Sequence, residues 1–330
     1  MLVSTTSPPL LLPYKDRKTG LIIFGVLTMG IGALVALLVP LMIFSVTMST
    51  KELGSDQASK MIGPGIAFYG GLAFALIWLG IGSTMARRWA RALLLIFSWS
   101  WLIVGVISTA GAVFMMPRIL ANAASYQQPG QPPLPASARS MILVLTLVFN
   151  GILFVLLPAV WVWFYQSKNV KATCEVRDPV TRWTDRCPLP VLAISLWLAF
   201  GSFWLLTLPF VFGGVFPFFG TILSGITGTI VYILLACLWI YIAWSLFKLQ
   251  LRGWWLIVVL LCLFSVSSVL TYLHHDMIEM YRLMGYPEKQ IAMIEQLGVF
   301  KGNLMAWNCL ISTVPLIAYL LFVRRYFRHA

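Results

Sequence analysis

The residue types that do chemistry are few in this chain and poorly spaced for it. Of the five cysteines, Cys174 and Cys187 share a polar stretch with Glu175, Asp178 and Asp185. A zinc site takes four ligands at set short spacings, and this pair fits none of those patterns. Cys237, Cys262 and Cys309 fall inside apolar runs, where a thiol packs as a small apolar side chain. His274 and His275 are neighbours. Successive helical residues point about 100° apart, so the two cannot close on one metal as an i, i+4 pair does. The sequence has no HExxH, no GxSxG and no P-loop, which removes the commonest metalloprotease, hydrolase and nucleotide-dependent chemistries. No catalytic, cofactor-binding or metal-ligating residue is expected, and no cofactor.

Two constellations remain. The first is the charged stretch 168–190, dense in Arg, Asp, Cys and Trp where a plain linker would favour Gly and Ser. Arg177 and Asp178 precede Pro179, then come Arg182, Trp183, Asp185 and Arg186. They suit a compact salt-bridged turn docked under a helical bundle, with burial of Trp183 supplying most of the docking energy. The same residues suit a surface for a partner or ligand. The second is a pair of amides, Asn150 and Asn308, each lying inside an apolar run ahead of a proline, Pro158 and Pro315. They read as interhelical hydrogen bonds or as donors to carbonyls that a proline kink frees. Otherwise they line an intramembrane polar site.

The elements that must position these residues are written for lipid. The chain has 330 residues, 60% of them hydrophobic and 10% charged, against about 25% charged in a soluble domain. Continuous rather than alternating apolar runs of about 20 residues select helices over a barrel. Eight such runs cover 21–46, 66–85, 92–116, 141–165, 192–212, 222–247, 254–273 and 304–323. The expected fold is an all-α polytopic bundle of eight transmembrane helices. Its parts are an N-terminal tail 1–20, a first four-helix unit 21–167, a linker loop 168–190 and a second four-helix unit 191–330. The first run is too long for a signal segment and stays as an anchor. Residues 276–303 read as two short amphipathic helices broken at Gly285, with Pro287 opening the second. They are placed along the outer interface over 276–297.

Lys and Arg in short loops set orientation. With a cytoplasmic N-terminus, sixteen of the 23 basic residues fall on that side. They cluster at Lys15, Arg17 and Lys18, at Arg87, Arg88 and Arg91, along 168–186, at Lys248 and Arg252, and at Arg324, Arg325 and Arg328. Both termini are therefore expected in the cytoplasm and the chain in a bacterial cytoplasmic membrane. Its net charge of +13 meets lipid headgroups, not nucleic acid. Trp89, Trp161, Trp163, Trp254 and Trp255 read as interface anchors. All ten acidic residues lie in loops or tails. A proton- or cation-coupled carrier usually places an ionisable group inside its bundle, so that mechanism is disfavoured.

The halves can be laid on each other. Gly32 pairs with Gly201, Pro40 with Pro209, Trp78 with Trp239, Arg87 with Lys248, Arg91 with Arg252 and Pro158 with Pro315. An even number of spans per half makes such repeats parallel. Close helix contacts are expected at Gly70, Gly71, Gly80 and Gly82, and at Gly220, Ser224 and Gly228 along one helix face. The function that fits is a non-enzymatic membrane module binding lipid, a protein partner or a second copy of itself. The alternative is an uncoupled small-solute transporter or channel.

Overall fold

The computed structural model describes residues 14–53, 55–122, 135–286, 288–296 and 302–327. Pro287, Leu297 and most of the loop before the fourth span lie outside them. Among the described residues, eight helices are long and apolar enough to cross a membrane: Lys18–Ser45, Gly63–Thr84, Arg88–Pro117, Ala136–Gln166, Leu189–Phe212, Gly225–Phe247, Leu251–His274 and Gly302–Phe327. The chain is a multi-pass helical membrane protein. Its helices are α1 (Lys18–Leu53), α2 (Ser55–Thr84), α3 (Arg88–Asn122), α4 (Ala136–Asn150), α5 (Leu157–Gln166), α6 (Lys168–Arg177), α7 (Leu189–Phe212), α8 (Gly225–Phe247), α9 (Leu251–His274), α10 (Met277–Leu283), α11 (Glu288–Gln296) and α12 (Gly302–Val323). Two compact units result, one built from Met1–Val39, Tyr69–Thr109 and Phe149–Arg186, the other from Pro40–Phe68, Ala110–Val148 and Cys187–Ala330.

In the first unit, α1 and α2 approach backbone to backbone. A Cβ built on Gly25 would meet the Gly80 carbonyl at 2.8 Å, and one on Gly80 the Gly25 carbonyl at 2.7 Å, the close approach that lipid-embedded helices use. Gly82 is likewise filled by Ala90 and Trp89, whereas Gly70 and Gly71 meet nothing within 4 Å. Trp161 is buried, not an interface anchor, and its indole N–H donates to Thr28 Oγ1 at 3.1 Å. Phe24 stacks on Phe164 at 4.0 Å. Tyr165 and Ser83 share a hydroxyl–hydroxyl bond of 2.7 Å, and Ser83 donates to the Leu21 carbonyl. These bonds satisfy polar groups that lipid could not.

A π-helical turn, Gly151–Leu156, joins α4 to α5. Its cause is Pro158, which has no N–H to give the Phe154 carbonyl, so the register widens. Gly105 of α3 accommodates the result, because any Cβ there would collide with that carbonyl.

The second unit departs from the expected all-helical pattern. Residues 222–224 are not the start of a helix. Phe216–Phe218 and Thr221–Leu223 form an antiparallel hairpin with Phe216 opposite Leu223. Phe219 and Gly220, at φ 41° and 87°, make a two-residue turn of the type that suits hairpin twist. Its N–H groups are capped by α9, Phe219 to Ser267 Oγ at 2.9 Å and Gly220 to Thr271 Oγ1 at 3.1 Å. Gly220, Ser224 and Gly228 therefore share no helix face. Gly228 instead lets α8 pass against the Gly214 carbonyl. Trp254 is buried as well, donating to the Leu320 carbonyl at 2.8 Å. The short helices α10 and α11 flank Gly285 at φ 80°, and Asp276 caps the first N–H of α12 at 2.8 Å.

The α2–α3 and α8–α9 corners share one backbone design. Ala86 N–H bonds to Ser83 O and Arg87 N–H to Gly82 O, just as Leu249 bonds to Leu246 O and Gln250 to Ser245 O. Both are Schellman ends with a non-glycine residue in the left-handed position, Ala86 at φ 53° and Leu249 at φ 57°. This match sets Arg87 opposite Gln250 and Arg91 opposite Trp254, two residues away from the pairing that side-chain similarity suggested.

Candidate functional site: a charged cap on the first unit

The loop after span four is built, not slack. Ser167 takes an extended conformation that lets α6 start at Lys168, and Val170, Thr173 and Cys174 form the buried face of that helix. The N-terminal tail docks on α6 through Arg17 N–H to Thr173 Oγ1 at 3.0 Å and Lys15 N–H to Asn169 Oδ1 at 3.3 Å. Arg177 grips Asp16 at 2.8 Å, while Asp16 also accepts from Lys18 N–H at the start of α1. The Arg177 bond, with help from Lys18, holds the Asp16 carboxyl below the usual carboxylate range.

Asp178 is the centre of the cap and is 1% exposed. Arg182 binds it in a fork, Nη2 to Oδ1 at 2.9 Å and Nε to Oδ2 at 3.3 Å. Arg87 Nη1 lies 3.6 Å away. Its Oδ2 also accepts the Arg88 N–H at 3.3 Å, which places a carboxylate on the positive end of α3. Arg182 foremost, then the Arg88 N–H and the charge of Arg87, hold this carboxyl below the usual range against the opposing cost of burial. The same bond pushes the Arg182 guanidinium up. Asp185 accepts the Arg182 N–H at 2.9 Å and faces Arg88 at 3.6 Å; Arg88 also pairs with Glu175 at 3.4 Å. Arg91 Nε and Thr184 Oγ1 are buried with no hydrogen-bond partner among the described residues.

The six loop residues singled out by sequence thus divide. Arg177, Asp178, Arg182 and Asp185 are framework. Trp183 is 42% exposed, which corrects the expectation that its burial anchors the loop; Asp178 does that instead. Arg186 is exposed. Sequence reading passed over Asp16, Arg87 and Arg88 as partners, since each lies in a different loop from the group it binds. The one local hint was Asp178 standing directly before Pro179, where a carboxylate closes a turn.

Cys174 and Cys187 are free and buried, and burial pushes each thiol up to about 11. Thiols so protonated are poor nucleophiles and poor metal ligands. Asn150 lies in the first unit and accepts a long, 3.4 Å bond from Thr109 Oγ1 on α3, a contact between helices. Asn308 lies in the second unit, exposed on α12. No protein family, curated protein or solved structure matches this chain.

What the cap presents outward is apolar and basic. Val176 is 48%, Val180 59% and Trp183 42% exposed. Single exposed apolar residues are ordinary on a water-facing surface; three on one short segment held by a buried ion pair are not.

Proposed function

We propose that this chain is a non-enzymatic membrane module whose charged cap is a docking surface for a protein partner, exposed on the cytoplasmic side. The observation that carries the reading is the contrast within one segment. Asp178 is clamped by Arg182, Arg87 and the α3 N-terminus, while Val176, Val180 and Trp183 stay exposed. An interface core is rich in aromatic and apolar anchors ringed by Arg, and rigid presentation lowers the ordering cost of binding. The cytoplasmic assignment rests on the sixteen-to-seven division of basic residues.

Site-specific photo-crosslinking in intact cells tests this. A crosslinker at position 180 should give one discrete adduct, lost when Trp183→Asp is introduced, while the same group at position 163 gives none. Equal adducts at both positions, or none at 180, would overturn the reading. Orientation needs an introduced thiol, because Cys174 and Cys187 are buried. Thr181→Cys in a cysteine-free background should react with an impermeant maleimide only after permeabilisation.

The two halves are proposed to be parallel repeats. The matched Schellman corners support this. So do Gly32 and Gly201, which lie against Ile77 and Trp239 of the following span in their own halves.

A further inference from the structure

Five cations of the cap have carboxylate partners: Arg87 and Arg182 with Asp178, Arg88 with Glu175 and Asp185, Arg177 with Asp16, Lys171 with Glu175. Arg17 and Lys168 have none among the described residues. Both line the same groove of about 440 Å³, together with Gln166, Ser167 and Trp163. The groove lies where α1 begins and where the fourth span hands over to α6. Arg17 stands one residue before the first span and Lys168 two residues after the fourth, so both charges sit at span ends. Trp163 is 77% exposed on the last turn of the fourth span, and the buried Phe164 forms the wall.

We propose that this groove binds one phospholipid with a net negative headgroup, its phosphodiester held between the Arg17 guanidinium and the Lys168 ammonium. Its glycerol and upper acyl carbons lie along Trp163. The chemistry fits in three respects. Two unpaired cations on one concavity match a phosphodiester, to which Arg donates as a fork and Lys as a point charge. Ser167 and Gln166 supply uncharged donors for headgroup hydroxyls or ester oxygens. An indole exposed at a span end prefers the depth at which the glycerol backbone lies. A zwitterionic lipid would bring its own ammonium against Arg17 and Lys168, so the site selects for net negative charge. This site depends on the membrane-spanning assignment but not on a protein partner. Partner crosslinking at position 180 can fail while lipid binding holds, and the reverse.

The test is native mass spectrometry of the full-length chain in detergent, titrated with dioleoyl phosphatidylglycerol or dioleoyl phosphatidylcholine. One phosphatidylglycerol should remain bound where phosphatidylcholine does not. A Lys or Arg near an anionic surface is worth roughly fivefold in affinity, so Arg17→Ala with Lys168→Ala should bind about 25-fold more weakly. Arg17→Lys with Lys168→Arg keeps both charges and should retain the lipid, which separates loss of the site from loss of fold. Lys248→Ala with Arg252→Ala removes two other span-end cations and should leave binding unchanged. Equal retention of both lipids, loss in the charge-preserving variant, or displacement of the lipid by millimolar inorganic phosphate would overturn the proposal.

Discussion

The corner between α2 and α3 and the corner between α8 and α9 share their hydrogen bonds, their left-handed non-glycine residue and a small-residue contact across the turn. That contact is Gly82 against Ala90 in one and Ser245 against Gly253 in the other. What stands on this frame differs. At the first corner Arg87 and Arg88 reach a buried carboxylate, and Arg91 points into the same charged layer. At the second the equivalent positions hold Gln250, Leu251 and Trp254. Gln250 accepts from Ser245 Oγ at 3.1 Å, and Trp254 is covered by the Arg324 guanidinium at 5.0 Å from its ring. One end is sealed by ions, the other by an aromatic–cation stack. The backbone frame therefore fixes where two helices turn. The chain arriving after the fourth span of each half decides what covers the turn.

Removing Asp178 should break this comparison most severely. Asp178→Ala leaves Arg182, Arg87 and the α3 N-terminus facing an empty pocket. Breaking a buried pair costs about 3–5 kcal/mol, and because both arginines are partly exposed we expect about 2–3 kcal/mol, read as a lower melting temperature in detergent. Gln250→Ala at the second corner should cost less than about 1 kcal/mol. The pH dependence has a definite sign. The folded carboxyl lies below its ordinary 3.8, so its contribution is complete above about pH 4 and is lost as pH falls through the lowered value. Asp178→Asn should flatten the acid limb of the stability profile; an unchanged limb would place the stabilising charge elsewhere.

Filling the small-residue contact should act on both corners alike. A Cβ on Gly82 meets Ala90 Cβ at 2.6 Å, and one on Gly253 meets Ser245 Oγ at the same distance. Gly82→Leu and Gly253→Leu should each cost about 2 kcal/mol as the helices are forced apart. If one is tolerated and the other is not, the shared frame is a coincidence of turn type rather than a repeated unit.

The eight spans were legible because hydropathy is a local signal that needs only about 20 residues in a row. What stayed hidden was either locally indistinguishable or non-local. The hairpin 216–223 reads FPFFGTIL, as apolar as any helix here, and the groups that hold it are distant: Ser267 and Thr271, some fifty residues on, and Tyr232 and Phe264 against Phe216. The π turn follows from Pro158, but its tolerance depends on Gly105 of another helix. In the cap, the charged residues of 168–190 were visible, yet the choice of Asp178 over Trp183 as anchor rests on Arg87 and Arg88, about ninety positions earlier. Side-chain similarity aligned Arg87 with Lys248, while the turn hydrogen bonds align it with Gln250, because apolar sequence leaves register weakly determined.

Trp183 sharpens the division between frame and surface. With Asp178 as anchor, Trp183→Ala should lower stability by only about 1 kcal/mol, no more than half the Asp178→Ala effect, while abolishing the adduct at position 180. A larger loss of stability than Asp178→Ala would return the tryptophan to the role of anchor and leave the cap without an outward-facing aromatic.

The smallest effect concerns the residue that both corners share in kind. A non-glycine residue in the left-handed region costs roughly 1 kcal/mol, because its Cβ crowds the following carbonyl. Ala86 is buried and Leu249 less completely so. Ala86→Gly gives up a packed methyl for the relief of strain and should come out near neutral. Leu249→Gly gives up a larger side chain that is mostly covered, more than the relief of strain returns, and should lower stability by about 0.5 kcal/mol, detectable as a small downward shift in melting temperature. The asymmetry follows from what each side chain packs. At the first corner the left-handed residue is fully buried, but its side chain is a single methyl. At the second the position is less completely covered but carries three more side-chain carbons, so strain there is offset by more apolar packing. Equal responses at the two positions would mean that side-chain packing does not set the balance at the turn, and that the shared backbone strain alone decides both.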